Sequence, residues 1–198
     1  MQSTTSLDPQ IYLASSSPRR VELLEQMGVT FSLLKISVPE NPSDYESCDE
    51  YIYRLSQEKA GAGVLALNED NIIVVAADTV ILFGDRILEK PKNEEDAFRM
   101  LTSLSNKRHL VKTAVSVCNR FKCETIIQTS QVTFCELSAV EISAYWKSGE
   151  PCDKAGGYAV QGRGAIFIKR IEGSYSGIMG LPIYETARLL NNFGIKLI

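Results

Sequence analysis

An α/β fold is predicted by three features of the chain. Its opening reads as strand, helix and strand in succession. Residues 71–78 form a continuous apolar run of the kind buried on both faces of a central strand, and two long alternating segments follow. The 198 residues, 44% hydrophobic and 23% charged, suffice for a substantial core in one domain, or in two lobes around a shared sheet.

The elements follow in order. Ile11 to Ala14 is a short apolar strand. Ser17 is a good N-cap and Pro18 a good first helical residue, so a helix starts there, with Val21, Leu23, Leu24 and Met27 on its apolar face and Gly28 as its stop. "VTFSLLKIS", from Val29 to Ser37, reads as the second strand. After the turn-rich "PENPSD", residues 49–67 have helical spacing, with Ile52, Leu55, Lys59, Ala62 and Ala66 on one stripe. "NIIVVAAD" then delivers Asp78 at the carboxyl end of an apolar strand, and hairpin chemistry follows in "VILFGDRILEKP".

A helix is expected from Asn93 to Leu104. The alternating segments His109 to Cys118 and Thr125 to Phe134, joined by polar "NRFK", read as an antiparallel ribbon. Ser138 and Glu141 form a capping box for a helix that Gly149 stops. "AGGYAVQGRGAIF" is a Gly-rich loop running into a strand over Ala165 to Ile171, and Pro182 opens a last helix through Leu190. No repeat or linker divides the chain, so residues 1–198 are expected to form one domain.

Composition narrows the function. Twenty-one basic residues against 24 acidic ones give a net charge of −3, so the surface as a whole does not attract nucleic acid and any phosphate chemistry needs a local cluster. Five cysteines (Cys48, Cys118, Cys123, Cys135, Cys152) form no C-x-x-C pair, and their odd number suggests free thiols in a reducing compartment. The first ten residues have neither a basic nor an apolar leader region, and no apolar run reaches membrane-spanning length. A soluble, cytoplasmic protein is expected.

Arg19 and Arg20 fall in the first turn of their helix, where the dipole is already positive and a capping box would place a Glu at position 20. Either they clamp an anion with the free N–H groups of that turn, or one pairs with Glu22 or Glu25 and the other is solvated. Lys59, on an apolar stripe, either snorkels to water or serves a site. Asp78 sits where open α/β sheets place their sites, and also where a turn is capped. Glu40, in a Pro-rich loop, and Lys90, in "EKPK", are weak signals alone. His109 reads as structural. A single histidine makes no His-based zinc site, there is no P-loop motif, and "GRG" at Gly162 to Gly164 lacks dinucleotide spacing. Carboxylates with Mg²⁺ or Mn²⁺ fit better.

With "LASSSPRRVELL", "RLSQEKA", "AADTVI", "LEKP", "VTF", "SGEPCDKAGGYAVQG" and "IEGSYSGIMGLP", the chain resembles the Maf family of septum-formation-inhibitor-like nucleoside triphosphate pyrophosphatases over almost its whole length. The resemblance implies a two-lobed α/β fold, Maf/ITPase-like, in which a strongly twisted mixed sheet flanked by helices leaves a substrate cleft between the lobes. It also implies a homodimer and metal-dependent cleavage of a nucleoside triphosphate into monophosphate and pyrophosphate. Ser15, Ser17, Arg19 and Arg20 match the family's phosphate-binding motif, Lys59 and Lys90 its basic contacts, and Asp78 its catalytic base, with Glu40 beside the metal.

Arg20, Thr79 and Gln161 match the subgroup acting on dTTP and UTP, modified pyrimidine nucleotides included, and Gln161 has a donor and an acceptor to offer a pyrimidine edge. Charge supports the grouping: a triphosphate with Glu40 and Asp78 carries roughly six negative charges, offset by four basic side chains and one divalent ion. Pro39 stands where many relatives carry a first acid before Glu40. A second reading is a nucleotide-binding regulator of cell division with little turnover.

Overall fold

The apolar run that begins at Ile72 organises the molecule. The structure is a computed structural model describing residues 9–43 and 45–198, so the expectation for the first ten residues lies almost wholly outside the described residues. Strands β1 (Gln10–Leu13), β2 (Ser32–Leu33), β3 (Ile72–Phe83), β4 (Arg86–Leu88), β5 (Arg108–Cys118), β6 (Cys123–Phe134) and β7 (Ile168–Glu172) form a mixed sheet. Their order is β2-β1-β3-β5-β6-β7, with β4 on β3. Helices α1 (Pro18–Gln26), α2 (Cys48–Leu67), α3 (Glu94–Leu104), α4 (Ala139–Trp146), α5 (Tyr175–Met179) and α6 (Ile183–Asn192) flank it, giving the expected α/β architecture. No helix among the described residues is long and apolar enough to cross a membrane.

One edge of β3 is paired almost throughout, Val74 to Leu82 facing Cys118 to Leu110 of β5. The other edge is divided. Parallel β1 covers residues 72–75 and antiparallel β4 covers residues 81–83, so residues 76–80 have no ladder partner there among the described residues. Asp78 is therefore in mid-strand, not at the strand's carboxyl end as the sequence suggested. The strand continues because β5 and the hairpin turning at Gly84 (φ +59°) satisfy its backbone out to Phe83.

Strand alternation then assigns the two sides. Ile73, Val75 and Ala77 pack with Leu23 and Leu24 of α1 and Leu189 and Leu190 of α6. Farther along the same side, Ile81 packs with Leu101 and Leu104 of α3 and Ile142 of α4. Ile72, Val74, Ala76 and Val80 face α2, through Ala60, Ile52 and Leu55. A Cβ on Gly63 would lie 2.8 Å from Val74 Cγ1, so glycine there lets α2 settle close on the strand.

The capping boxes Ser47–Glu50 and Ser138–Glu141 and the Asn93 cap start α2, α4 and α3. Several boundaries differ from expectation. β2 is only Ser32–Leu33, because β1 ends at Leu13 and nothing remains beyond it to pair with. Residues 163–167 form a 3₁₀ turn, not strand, because the Glu150 carboxylate accepts the Arg163 and Gly164 N–H groups at 2.8 and 2.9 Å. β7 starts at Ile168, and the short α5 went unanticipated. The five cysteines are not all free: Cys118 and Cys123, opposed where β5 meets β6, form a disulfide, and Cys48, Cys135 and Cys152 are free.

His109 is structural, as expected. It is buried, its Nε2 lies 2.7 Å from the Tyr158 hydroxyl, and its ring meets Phe134 and Tyr158 edge-on. Burial lowers its pKa to about 4. Above pH 6.5 both folded and unfolded states hold it neutral. Between about 6.5 and 4 only the unfolded chain takes up the proton, so stability falls as pH falls through that window, by about 3 kcal/mol in all. Urea unfolding of wild type and His109→Gln at pH 7 and pH 4.5 checks this. The variant is expected to lose less stability than wild type between the two; equal losses would contradict the assignment.

Candidate active site

The open stretch of β3 is where the predicted residues gather. β1 makes its last contact through the Ala14 N–H to Val75 O, 2.8 Å, and residues 15–17 then turn into α1. Ser17 occupies the N-cap position with extended backbone, but its side chain makes no capping bond. The Ser15 hydroxyl oxygen instead accepts the Ser17 N–H at 3.2 Å. The first turn of α1 holds no acid, which leaves its dipole uncompensated within the helix and suited to an anion.

Arg20 turns back from that helix into the fold. Its Nε donates to Gly180 O at 2.8 Å, Nη2 to Thr79 Oγ1 at 3.2 Å and Nη1 to Ser15 Oγ at 3.4 Å. Thr79 Oγ1 in turn lies 2.9 Å from Thr113 Oγ1, whose own hydroxyl donates to Gly177 O at 2.8 Å. Because Thr113 spends its proton on Gly177, Thr79 donates to Thr113 and accepts from Arg20. Burial pushes the Arg20 pKa down from its usual value, with the nearby Asp78 charge opposing. On that side of the sheet Thr79 and Thr113 lie between Ala77 and Val115 of the apolar cluster around α1 and α6 and Ile81 and Val111 of the one around α3 and α4.

Asp78 points to the opposite side, toward α2. Lys59 Nζ donates to Asp78 Oδ1 at 2.6 Å and lies 2.7 Å from Glu40 Oε1, so one ammonium bridges two carboxylates. The Lys59 hydrogen bond holds Glu40 below the usual carboxylate range, with the Lys90 and Arg20 charges adding to it. Tyr51, unanticipated from sequence, donates its hydroxyl to Glu40 O at 3.0 Å, and its own pKa is pushed up to about 12 by burial and by Asp78 and Glu40.

Among the described residues no group of three or more His, Cys, Asp or Glu is placed to hold a metal. Glu40 and Asp78 nevertheless suit a hard divalent ion, which takes one or two carboxylates and completes its shell with water and substrate phosphates.

The remaining predicted residues lie around this centre. Lys90 acts on Glu40 through its charge. Arg19, half-exposed, has no ion pair with Glu22 or Glu25. Gln161, exposed, donates to Glu22 Oε2 of α1 at 3.1 Å, which sets the Gly-rich loop beside the phosphate-motif helix. Sequence reasoning missed Tyr51, Thr113 and Gly180, and offered Glu22 as a partner for an arginine, not for Gln161. A Tyr three residues before an Arg on a helix, or a Thr in an alternating strand, carries no local signal of a distant partner.

Replacing Lys59 with Gln removes the donor that holds Glu40 low, so Glu40 should then titrate at higher pH than in wild type. Carboxyl ¹³C shifts followed across pH in metal-free buffer measure this, and an unchanged Glu40 titration would remove Lys59 as the cause.

Comparison with known proteins covers the same residues. Residues 10–193 match the family described as Maf-like protein. The dTTP/UTP pyrophosphatase of Vibrio vulnificus is 51% identical over 184 residues, covering 93% of this chain and 98% of that protein. Those of Aliivibrio fischeri and Alkalilimnicola ehrlichii are each 46% identical, over 190 and 191 residues, covering 94% of this chain in both cases and 100% and 94% of those proteins. Since the family match runs unbroken from β1 through α6 and contains every residue from Ser15 to Gln161 that builds the site, the chain belongs to the Maf family.

Proposed function

We propose that this protein hydrolyses nucleoside triphosphates, dTTP and UTP foremost, to the monophosphate and pyrophosphate. The observation that carries the reading is the pairing of Asp78 with Lys59 and Glu40 on one side of β3 while Arg20 and the α1 N-terminus stand on the other, around the same open stretch of strand. The relatives' names supply the nucleotide class.

Phosphate oxygens are received by the Arg19 N–H, the first that α1 offers after Pro18, by Ser15 and Ser17, and by the Arg19 guanidinium, which has no ion pair with Glu22 or Glu25. Arg20, held by Gly180 and Thr79, offers fixed positive charge beside them. Asp78 accepts the proton of the water that attacks the α-phosphorus, and Lys59 transfers its hydrogen bond from Asp78 to phosphate oxygens as their charge grows. Arg19, Arg20 and Lys90 stabilise the leaving pyrophosphate. A Mg²⁺ or Mn²⁺ ion, held by Glu40 and Asp78, would supply electrophilic stabilisation of the phosphoryl charge. Gln161 contacts the base edge from its place beside α1.

Asp78→Asn keeps the shape of the side chain but cannot take the proton, so kcat on dTTP should fall on the order of 10²–10⁴-fold while dTTP binding and the folded state persist. Pyrophosphate release, melting temperature and dTTP binding measured together check this; a folded variant with near-wild-type kcat would sink the mechanism. Gln161→Glu places a carboxylate against Glu22 and removes the amide donor, so the dTTP:CTP ratio of kcat/KM should change. A ratio equal to wild type would show that Gln161 does not read the base.

A further inference from the structure

Glu40 needs holding. Its side chain is 58% exposed and it lies in the irregular segment between β2 and α2, yet its carboxylate meets a lysine that is only 13% exposed. An unrestrained loop would leave that carboxylate in water, where an exposed ion pair is worth little. We propose that Arg54 is a positioning residue that fastens this loop to α2 and so keeps Glu40 against Lys59 and Asp78.

The contacts are specific. Arg54 Nε donates to Glu46 Oε1 and Nη2 to Glu46 Oε2, both at 2.7 Å, a two-pronged grip on one carboxylate. Nη2 also donates to Asn41 O at 3.2 Å, the residue next to Glu40. Nη1 lies 3.3 Å from both oxygens of Glu58, one turn along the helix, which holds the guanidinium from behind. One planar group therefore grips the loop at two points, residue 41 and residue 46, while Tyr51, one turn earlier on α2, takes Glu40 O. Lys59 lies on the same helix, so α2 is a rigid spacer between tether and ion pair. A lysine at position 54 would keep the charge but could not reach both Glu46 oxygens and the Asn41 carbonyl at once.

The catalytic consequence rests on the pyrophosphatase reading; the tether itself does not. In Arg54→Lys, the Ser43 and Glu46 amides, which donate to Glu46 Oε2 and Ser43 O, should exchange with solvent about tenfold faster or more, with the α2 amides unchanged. On dTTP, kcat should fall about tenfold while KM stays within about threefold, because Ser15, Arg19 and Arg20 come from a different loop. Glu46→Gln, which leaves α2 untouched, should reproduce both effects, and the double variant should be no worse than either single one. Unchanged exchange in both variants, a rise in KM with kcat preserved, or additive losses would overturn the proposal. If wild type releases no pyrophosphate from dTTP, the function fails, and the exchange rates still decide whether Arg54 holds the loop.

Discussion

A single ammonium, Lys59 Nζ, lies between two carboxylates, and the rest of the site depends on it. Lys59 and Asp78 are each only 13% exposed, so their opposite charges meet with little water between them, and Glu40 shares the same ammonium from the loop side. The pair sets the register of α2 on β3. Ser47 and Glu50 fix where the helix begins, and Lys59 then arrives opposite position 78 between the apolar contacts of Ala76 and Val80. Two carboxylates against one ammonium leave a residual negative charge. Lys90 and Arg20 also act on Glu40 through their charges, while the guanidinium of Arg20 and the α1 dipole favour an anion on the other side.

The two sides are forced apart by strand geometry and brought together by a missing neighbour. Asp78 and Thr79 are adjacent in sequence and must point to opposite faces of the sheet. In a fully paired strand they would serve separate compartments. Here β1 stops at residue 75 and β4 starts at residue 81, and the loop into α1 leaves across the opening. The charge of Asp78 reaches Arg20 across the strand. The Arg20, Thr79, Thr113 and Gly177 chain runs between the two apolar clusters on that side, which Ile168, Ile171 and Ile178 join.

Local signals in the sequence were read well and remote ones were not. The helix starts at Pro18, Asn93 and Ser138 are written within a few residues, and the buried strand at Ile72 is written in its apolar run, whereas the Ser47–Glu50 box that starts α2 was not read. The length of β3 was not legible, because it depends on pairing with β5 some forty residues away. β2 was overestimated because its length depends on where β1 ends, and Cys118 was not matched to Cys123, five residues on, because the ribbon was read as resuming only at Thr125. The site residues found by sequence were those whose chemistry contradicts their local setting: arginines at a helix N-terminus, a lysine on an apolar stripe, an acid after an apolar run. Tyr51, Arg54 and Thr113 suit their own elements well, and only the tertiary structure reveals what they hold.

In the proposed mechanism water attacks the α-phosphorus, with Asp78 as base and the arginines and Lys90 on the leaving group. Hydrolysis of dTTP in ¹⁸O-water, followed by mass spectrometry of both products, tests this directly. The label is expected in dTMP, with unlabelled pyrophosphate released in equal amount. Label in the pyrophosphate, or orthophosphate as the first product, would contradict it.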